Sequence, residues 1–168
     1  MKMNRTKVSN HKLAAMVLAM LLVFMVAANA QSSNSANGLG GTWRVQVQQQ
    51  NCATGQPLGP AFQSLLSFHD GGTMSGTTSN PSFAPGQRTS DYGVWSYQGN
   101  QTYSAASEAL ILFNSAAPAP FVRGSQRIAQ QISVNGDTFT SVATVQFYDS
   151  THTLYITGCA VATGTRFQ

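Results

Sequence analysis

Hydrophobic and polar residues alternate along most of the chain after residue 41. Trp43, Val45 and Val47 share one side of the first such segment, and polar residues occupy the other side. A period of two predicts a β-strand with one buried face. The same pattern predicts seven further strands, near residues 62–69, 73–79, 92–98, 101–113, 122–134, 138–148 and 153–163. No segment after residue 40 has a helical apolar stripe, so the pattern predicts an all-β protein.

The connections between these strands are mostly short. Glycine, asparagine and aspartate mark tight turns at residues 70–72, 99–100, 135–137 and 149–150. Two longer connections, 80–91 and 114–121, each contain two prolines. This order predicts an eight-stranded antiparallel up-and-down β-barrel, since closure removes the exposed edges of a long meander. A β-sandwich has the same periodicity and is the alternative.

The first 30 residues have a different pattern. Lysines and an arginine precede an uninterrupted apolar run at residues 13–26, and Ala28-Asn29-Ala30 follows it. This order is typical of a cleavable signal peptide, and the run is shorter than the roughly 20 residues of a spanning helix. We therefore predict a signal peptide at 1–30, a disordered polar leader at 31–40 and a barrel domain at 41–168. The protein would be exported, to the periplasm or the outside of the cell, without stable membrane insertion after cleavage.

Cleavage would change the charge of the protein. The four basic residues of the signal segment account for the whole formal net charge of +4, and five arginines balance five acidic residues in the remainder. A nucleic-acid or anionic-membrane partner would require a basic patch. The near-neutral composition argues against both partners.

Two cysteines remain in the predicted mature chain, Cys52 and Cys159. In an oxidising compartment an even number of cysteines favours a disulfide, and their separation argues against a redox pair. In a closed barrel the first strand pairs with the last, and a register that pairs Trp43 with Arg166 brings the cysteines to within two residues of each other. This agreement supports closure, with the small slip taken up by a bulge or by barrel stagger.

The opening Gly41-Thr42-Trp43 and the late Arg166 resemble the calycin arrangement of lipocalins and avidins. That resemblance implies a lipocalin-like barrel in which Trp43 plugs the closed end and Arg166 lies over its indole, by cation–π contact. Residues 157–167 are also similar to the ending of a group of small exported bacterial proteins, a likeness that implies no activity.

Glu108 is the candidate polar side chain for a barrel lumen. If it faces inward with Leu110 and Leu112, it needs a raised pKa or an arginine partner, and Arg123 and Arg127 lie on the next predicted strand. If Ala109 and its neighbours face inward instead, Glu108 makes a cross-strand pair on the outer surface. Both orientations are open at this stage.

Aromatic residues and long connections suggest a binding site. We predict a mouth formed by residues 80–91 and 114–121, with Trp95, Tyr97 and Tyr103 beside the Glu108, Arg123 and Arg127 anchors. An eight-stranded barrel either fills with side chains or holds one small ligand. The first hypothesis is therefore a non-enzymatic protein that binds a small apolar or amphipathic ligand.

Two alternatives accompany this hypothesis. One is a structural or interaction protein of the cell envelope with a side-chain-filled barrel, and the other is a barrel enzyme of the cyclase or isomerase type with Glu108 as its acid or base. No nucleophile motif, phosphate loop or cofactor motif is present. His69 and His152 lie at predicted turns without metal-ligand spacing, so no metal site is expected.

Overall fold

The computed structural model describes residues 38–113 and 123–168, and the predicted signal peptide lies outside them. The described chain forms eight antiparallel strands joined in sequence order into a closed barrel. The strands are β1 (Gly41–Gln50), β2 (Phe62–His69), β3 (Thr73–Thr78), β4 (Asp91–Gly99), β5 (Thr102–Ile111), β6 (Gly124–Asn135), β7 (Thr138–Asp149) and β8 (Leu154–Arg166). The all-β barrel prediction is confirmed, and closure between β1 and β8 excludes the sandwich.

The register between the first and last strands is the predicted one. Trp43 pairs with Arg166, and the ladder continues to Gln50 opposite Cys159. Cys52 lies just beyond the end of β1 and is disulfide-bonded to Cys159, with 5.2 Å between their Cα atoms. The bond joins the connection after β1 to β8, and it is compatible with an oxidising compartment.

The two ends of the barrel differ. At the lower end, tight turns join β2 to β3, β4 to β5 and β6 to β7, whereas longer connections follow β1 and β3 at the upper end. The lower half of the lumen is filled by a buried apolar cluster that includes Trp43, Phe68 and Phe139. The rings of Trp43 and Phe139 meet edge to face, with 5.0 Å between their centroids.

Arg166 closes the lower end as the calycin resemblance implies. Its guanidinium lies 4.2 Å from the centre of the Trp43 indole, and its Nε donates to Asp137 Oδ1 at 2.9 Å. The two Nη atoms donate to the carbonyl oxygens of Gly40 and Gly38. One side chain therefore connects the chain entering β1, the turn after β6 and the end of β8.

The boundary of the predicted leader was wrong for its last residues. Leu39 is completely buried in the apolar cluster, and its carbonyl accepts a 2.8 Å hydrogen bond from Trp43 Nε1. The flanking glycines provide the carbonyl groups that Arg166 binds. A single leucine between small residues carries too little pattern to predict burial, yet here it completes the barrel floor.

Within residues 38–113 and 123–168, no helix is long and apolar enough to cross a membrane.

Candidate functional site

The predicted polar anchors lie outside the lumen. Glu108 pairs in register with Arg127 across β5 and β6, and Arg127 Nη2 donates to Glu108 Oε2 at 3.1 Å on the outer face. Tyr103, Ala105 and Ala109 of β5 are buried in the barrel instead. The outward orientation of Glu108 is thus confirmed and the lumenal one is wrong. Arg123, just before β6, is exposed as well.

The surroundings of Glu108 lower its pKa below the ordinary value. A hydrogen bond from the Ser125 hydroxyl is the main cause of the lowering. Partial burial opposes it, and the hydrogen bond and positive charge of Arg127 add to the lowering. This outward position also removes Glu108 as a lumenal acid or base for the barrel-enzyme alternative.

The Glu108–Arg127 pair should contribute little to stability because both side chains are well exposed. A lowered folded-state pKa means that its contribution is present above the unfolded pKa and is lost as the pH falls through the folded pKa. We expect Glu108→Gln to reduce the unfolding free energy by about 0.2–1 kcal/mol near neutral pH. The difference should begin to shrink below the unfolded-state pKa of about 4.3 and should vanish only below the lowered folded-state pKa. Urea unfolding of both proteins across this range tests this, and a difference that grows on acidification would contradict it.

The predicted aromatic residues lie at the lower end, away from the upper connections. Trp95 Nε1 donates to the carbonyl oxygens of His69 and Thr73 at the turn after β2. Tyr103 is 7% exposed, and its ring packs between those of Trp95 and Tyr97. The prediction that Trp95 and Tyr97 line the mouth was therefore wrong, since β4 runs from the mouth towards the closed end.

A buried ion pair, which the sequence analysis did not identify, lies in the upper half of the lumen. Arg88 Nη2 donates to Asp91 Oδ1 at 3.1 Å, and the two side chains are only 4% and 5% exposed. Arg88 Nε donates to Gln126 Oε1 at 2.6 Å, and Ser107 Oγ donates to Asp91 Oδ2 at 3.0 Å. The lumenal ion pair thus has hydrogen-bond partners on both β5 and β6.

A local irregularity turns both charges inward. Residues three apart on a regular strand face opposite sides. Arg88 forms a bridge with Ile111, whereas Tyr92 pairs with Glu108, so the segment leading into β4 contains one more residue than β5 over this stretch. Such a bulge re-aims a side chain. It places the arginine on the same side as the carboxylate.

Gly76 of β3 makes room for the Asp91 carboxylate. The two residues are register partners, and a Cβ built on Gly76 would lie 2.9 Å from Asp91 Oδ2 and 2.6 Å from Leu66 Cδ2. A real Cβ does not approach an oxygen this closely, so any larger residue must move the carboxylate. The absence of a side chain at position 76 is thus part of the site.

We expect Gly76→Ala to reduce the unfolding free energy by about 1–3 kcal/mol, through overpacking against the carboxylate. Gly158→Ala is a matched control, because a Cβ there has only an ordinary 4.0 Å contact with the Val145 carbonyl oxygen. Thermal or urea unfolding of the two variants measures the difference. Equal stability of both variants would show that Asp91 has no tight packing at Gly76.

A cavity of about 80 Å³ adjoins the lumenal ion pair. Apolar side chains of the barrel wall, among them Val47, Phe62 and Ile128, form one part of its lining. Hydrogen-bonding residues form the rest: Ser64, Thr77, Thr78, Asn80, Asp91, Ser107, Gln126, Gln130 and Ser141. Asp91 is the only ionised side chain among the described residues of the lining. This lumenal cavity therefore combines apolar walls with convergent polar groups, a mixture that also occurs in ligand sites.

The upper connection 79–90 covers this region. Asn80 contributes to the cavity lining, Gln87 is 4% exposed, and the Arg88 guanidinium lies 5.9 Å from the centre of the Phe83 ring. Phe83 also faces Phe147 of β7 across 6.3 Å between ring centres. The predicted role of residues 80–91 as part of the upper end is consistent with this placement, and residues 114–121 lie outside the described residues.

Two histidines lie on the surface, at opposite ends of the barrel. His69 ends β2 and contacts the Ser75 hydroxyl at 3.2 Å, and His152 lies in the turn after β7. In the described part of the chain, no three His, Cys, Asp or Glu side chains are grouped closely enough to hold a metal ion.

Comparison with protein-family models, with curated proteins and with solved structures finds no match to this chain. The chain's own residues form an eight-stranded antiparallel barrel with a buried charge pair in its lumen.

Proposed function

We propose that this chain is an exported, calycin-like binding protein whose lumen receives the polar head of a small amphipathic ligand. The observation that carries this proposal is the buried Arg88–Asp91 pair at a mixed polar and apolar cavity. The apolar cluster fills the lower half of the lumen, so a ligand would enter from the upper end, past the connection 79–90.

A buried ion pair is a costly way to fill a barrel. Desolvation of two charges can exceed their mutual attraction, and well-packed apolar residues of similar volume often give equal or greater stability. The lower half of this barrel is filled in that apolar way. Ligand sites, in contrast, commonly place a few polar or charged groups among apolar walls to fix the orientation of the ligand. The contrast between the two halves of the lumen supports a ligand-binding role for the upper one.

The size of the cavity limits the ligand. A volume of about 80 Å³ is roughly half that of an engineered cavity of about 150 Å³ that binds benzene. It accommodates a compact head group rather than a whole lipid. Apolar side chains exposed around the upper end offer contacts for a tail: Leu58, Leu112, Phe113 and Leu154. The proposed ligand therefore inserts its head and leaves its tail along the rim.

Organic extraction of the purified protein, followed by mass spectrometry, tests this proposal. We expect an amphipathic compound to be recovered from the wild-type protein and lost from Gln126→Leu, which removes the amide that holds Arg88. Glu108→Gln, on the outer face, should retain it. No bound compound in the extract, together with no binding of added amphipathic probes, would overturn the proposal.

A role in the cell envelope through an outer-surface contact is the second candidate. The outer face of β4 to β8 has a shallow depression lined by uncharged residues, in which Val94 and Val142 are each 60% exposed. Exposed apolar patches often mark interaction sites. Crosslinking in the exporting cell should capture a partner, and Val94→Lys or Val142→Lys should abolish that capture. Capture that is lost only in Gln126→Leu would contradict this candidate.

A further inference from the structure

The lumenal ion pair also defines the chemical class of the head group. Resting on the proposed function above, we infer that the ligand head is an uncharged group with both hydrogen-bond donor and acceptor capacity, such as a hydroxyl or a primary amide. Carboxylate, phosphate and ammonium heads are excluded by the same arrangement.

The charge balance of the site carries this inference. Asp91 is the only ionised lining residue in the described chain, and its charge is matched by Arg88 at 3.1 Å. The site is therefore neutral before any ligand enters. A charged head would leave one uncompensated charge in a buried environment, which is far more costly than burying a hydrogen-bonded neutral group.

The polar groups of the lining define the second requirement, which is that the head both donates and accepts hydrogen bonds. Serine hydroxyls and glutamine amides each donate and accept hydrogen bonds, and an ionised aspartate only accepts. Ser64 and Gln130 lie in the lining together with Asp91. A head that donates to Asp91 and accepts from a hydroxyl or amide matches this mixture, whereas an ether or an ester carbonyl lacks the donor.

Three probes with the same tail separate these possibilities. We would titrate the purified protein with 1-hexanol, hexanoate and hexylammonium at neutral pH, and follow the backbone amide signals of residues 107, 126 and 130 by NMR. The shared tail keeps the apolar contribution constant. Hexanol is expected to shift these signals and to bind at least about tenfold more tightly than either charged probe, because of the cost of burying unpaired charge.

The variant Asp91→Asn is expected to shift the preference of the site from a neutral head towards an anionic one. This variant leaves Arg88 without its carboxylate and gives the site a net positive charge. The affinity for hexanoate relative to that for hexanol should therefore rise by about tenfold or more. Glu108→Gln removes a carboxylate from the outer face and should leave the wild-type order unchanged. If Asp91→Asn does not fold, the order of the three probes on the wild-type protein decides the question.

The outcomes distinguish this inference from the proposed function. Tighter binding of hexanol in the lumen supports both. Binding of hexanoate or hexylammonium as tight as that of hexanol overturns the neutral-head inference and leaves lumenal binding in place. No lumenal shift with any probe overturns the neutral-head inference, and with an empty organic extract it overturns the proposed function as well.

Discussion

Replacing Asp91 by asparagine is expected to reduce the unfolding free energy by about 3–5 kcal/mol, because the Arg88 guanidinium stays buried without its counter-charge. Asparagine keeps the shape of the side chain but replaces one accepting oxygen by a donating amide group, so the loss combines the effect of charge with that of one hydrogen bond. Urea unfolding followed by tryptophan fluorescence measures it. Trp43 and Trp95 both lie in the lower half of the barrel and report global unfolding rather than a local change at the site.

The double variant Arg88→Met/Asp91→Asn tests the physical reason. It removes both charges, so it should be more stable than the single variant Asp91→Asn although it carries one more substitution. Glu108→Gln supplies the surface comparison, with an expected loss below about 1 kcal/mol. A double variant less stable than Asp91→Asn would show that hydrogen bonds and packing, rather than an unpaired charge, explain the loss.

Removing the disulfide with Cys52→Ala/Cys159→Ala is expected to reduce the unfolding free energy by about 2–5 kcal/mol. The bond joins residues 107 positions apart, so it restricts a large part of the unfolded chain. The chain-entropy model gives about 4.7 kcal/mol for a loop of this length. The native barrel should persist, because the ladder between β1 and β8 holds the same two strands together.

Reductant is the control for this prediction. Wild-type protein unfolded in urea with excess reductant should show the same decrease as the double variant, and the variant itself should not respond. A wild-type protein whose unfolding midpoint is unaffected by reductant would contradict a stabilising disulfide. A change in midpoint that appears in the variant alone would point to packing around the substituted positions instead.

The register of the barrel illustrates what a sequence pattern can predict. Strand pairing depends on a period of two and on turn length, and both are local properties of the chain. The Trp43–Arg166 pairing then required only one assumption, that the first and last strands meet. The cysteines supplied an independent constraint on the same pairing, and the structure has both features.

The lumenal ion pair shows where such a pattern fails. Arg88 precedes β4 in a connection with two prolines. A regular alternation would place its side chain on the other face of the sheet from that of Asp91. The bulge between Arg88 and Tyr92 adds one residue and so turns the Arg88 side chain to the same face as Asp91. The position of the bulge depends on pairing with β5. Glu108 drew attention because it stands in an apolar strand, yet its outward side follows from the burial of Ala105 and Ala109.

The small residues of β8 were equally ambiguous in the sequence. They could leave a cavity or allow the barrel to curve. A Cβ at Gly164 would overlap the ring of Phe139, its register partner on the adjacent strand β7, so that aromatic ring occupies the space beside the glycine. A vacancy in one strand and a large residue in another are complementary only when the register brings them together.

The sequence by itself predicted the eight strands and their order, because alternation and turns are local properties of the chain. On the assumption that the first and last strands meet, it also predicted their register and the pairing of the cysteines. The pairing of β1 with β8 in the tertiary structure then decided for a closed barrel over a sandwich. Only the tertiary structure decided which polar side chains enter the lumen and how much space remains there. Those outcomes depend on a single-residue bulge and on side chains from several strands filling one interior. A change of one position in the alternation moves a charge from solvent to the core.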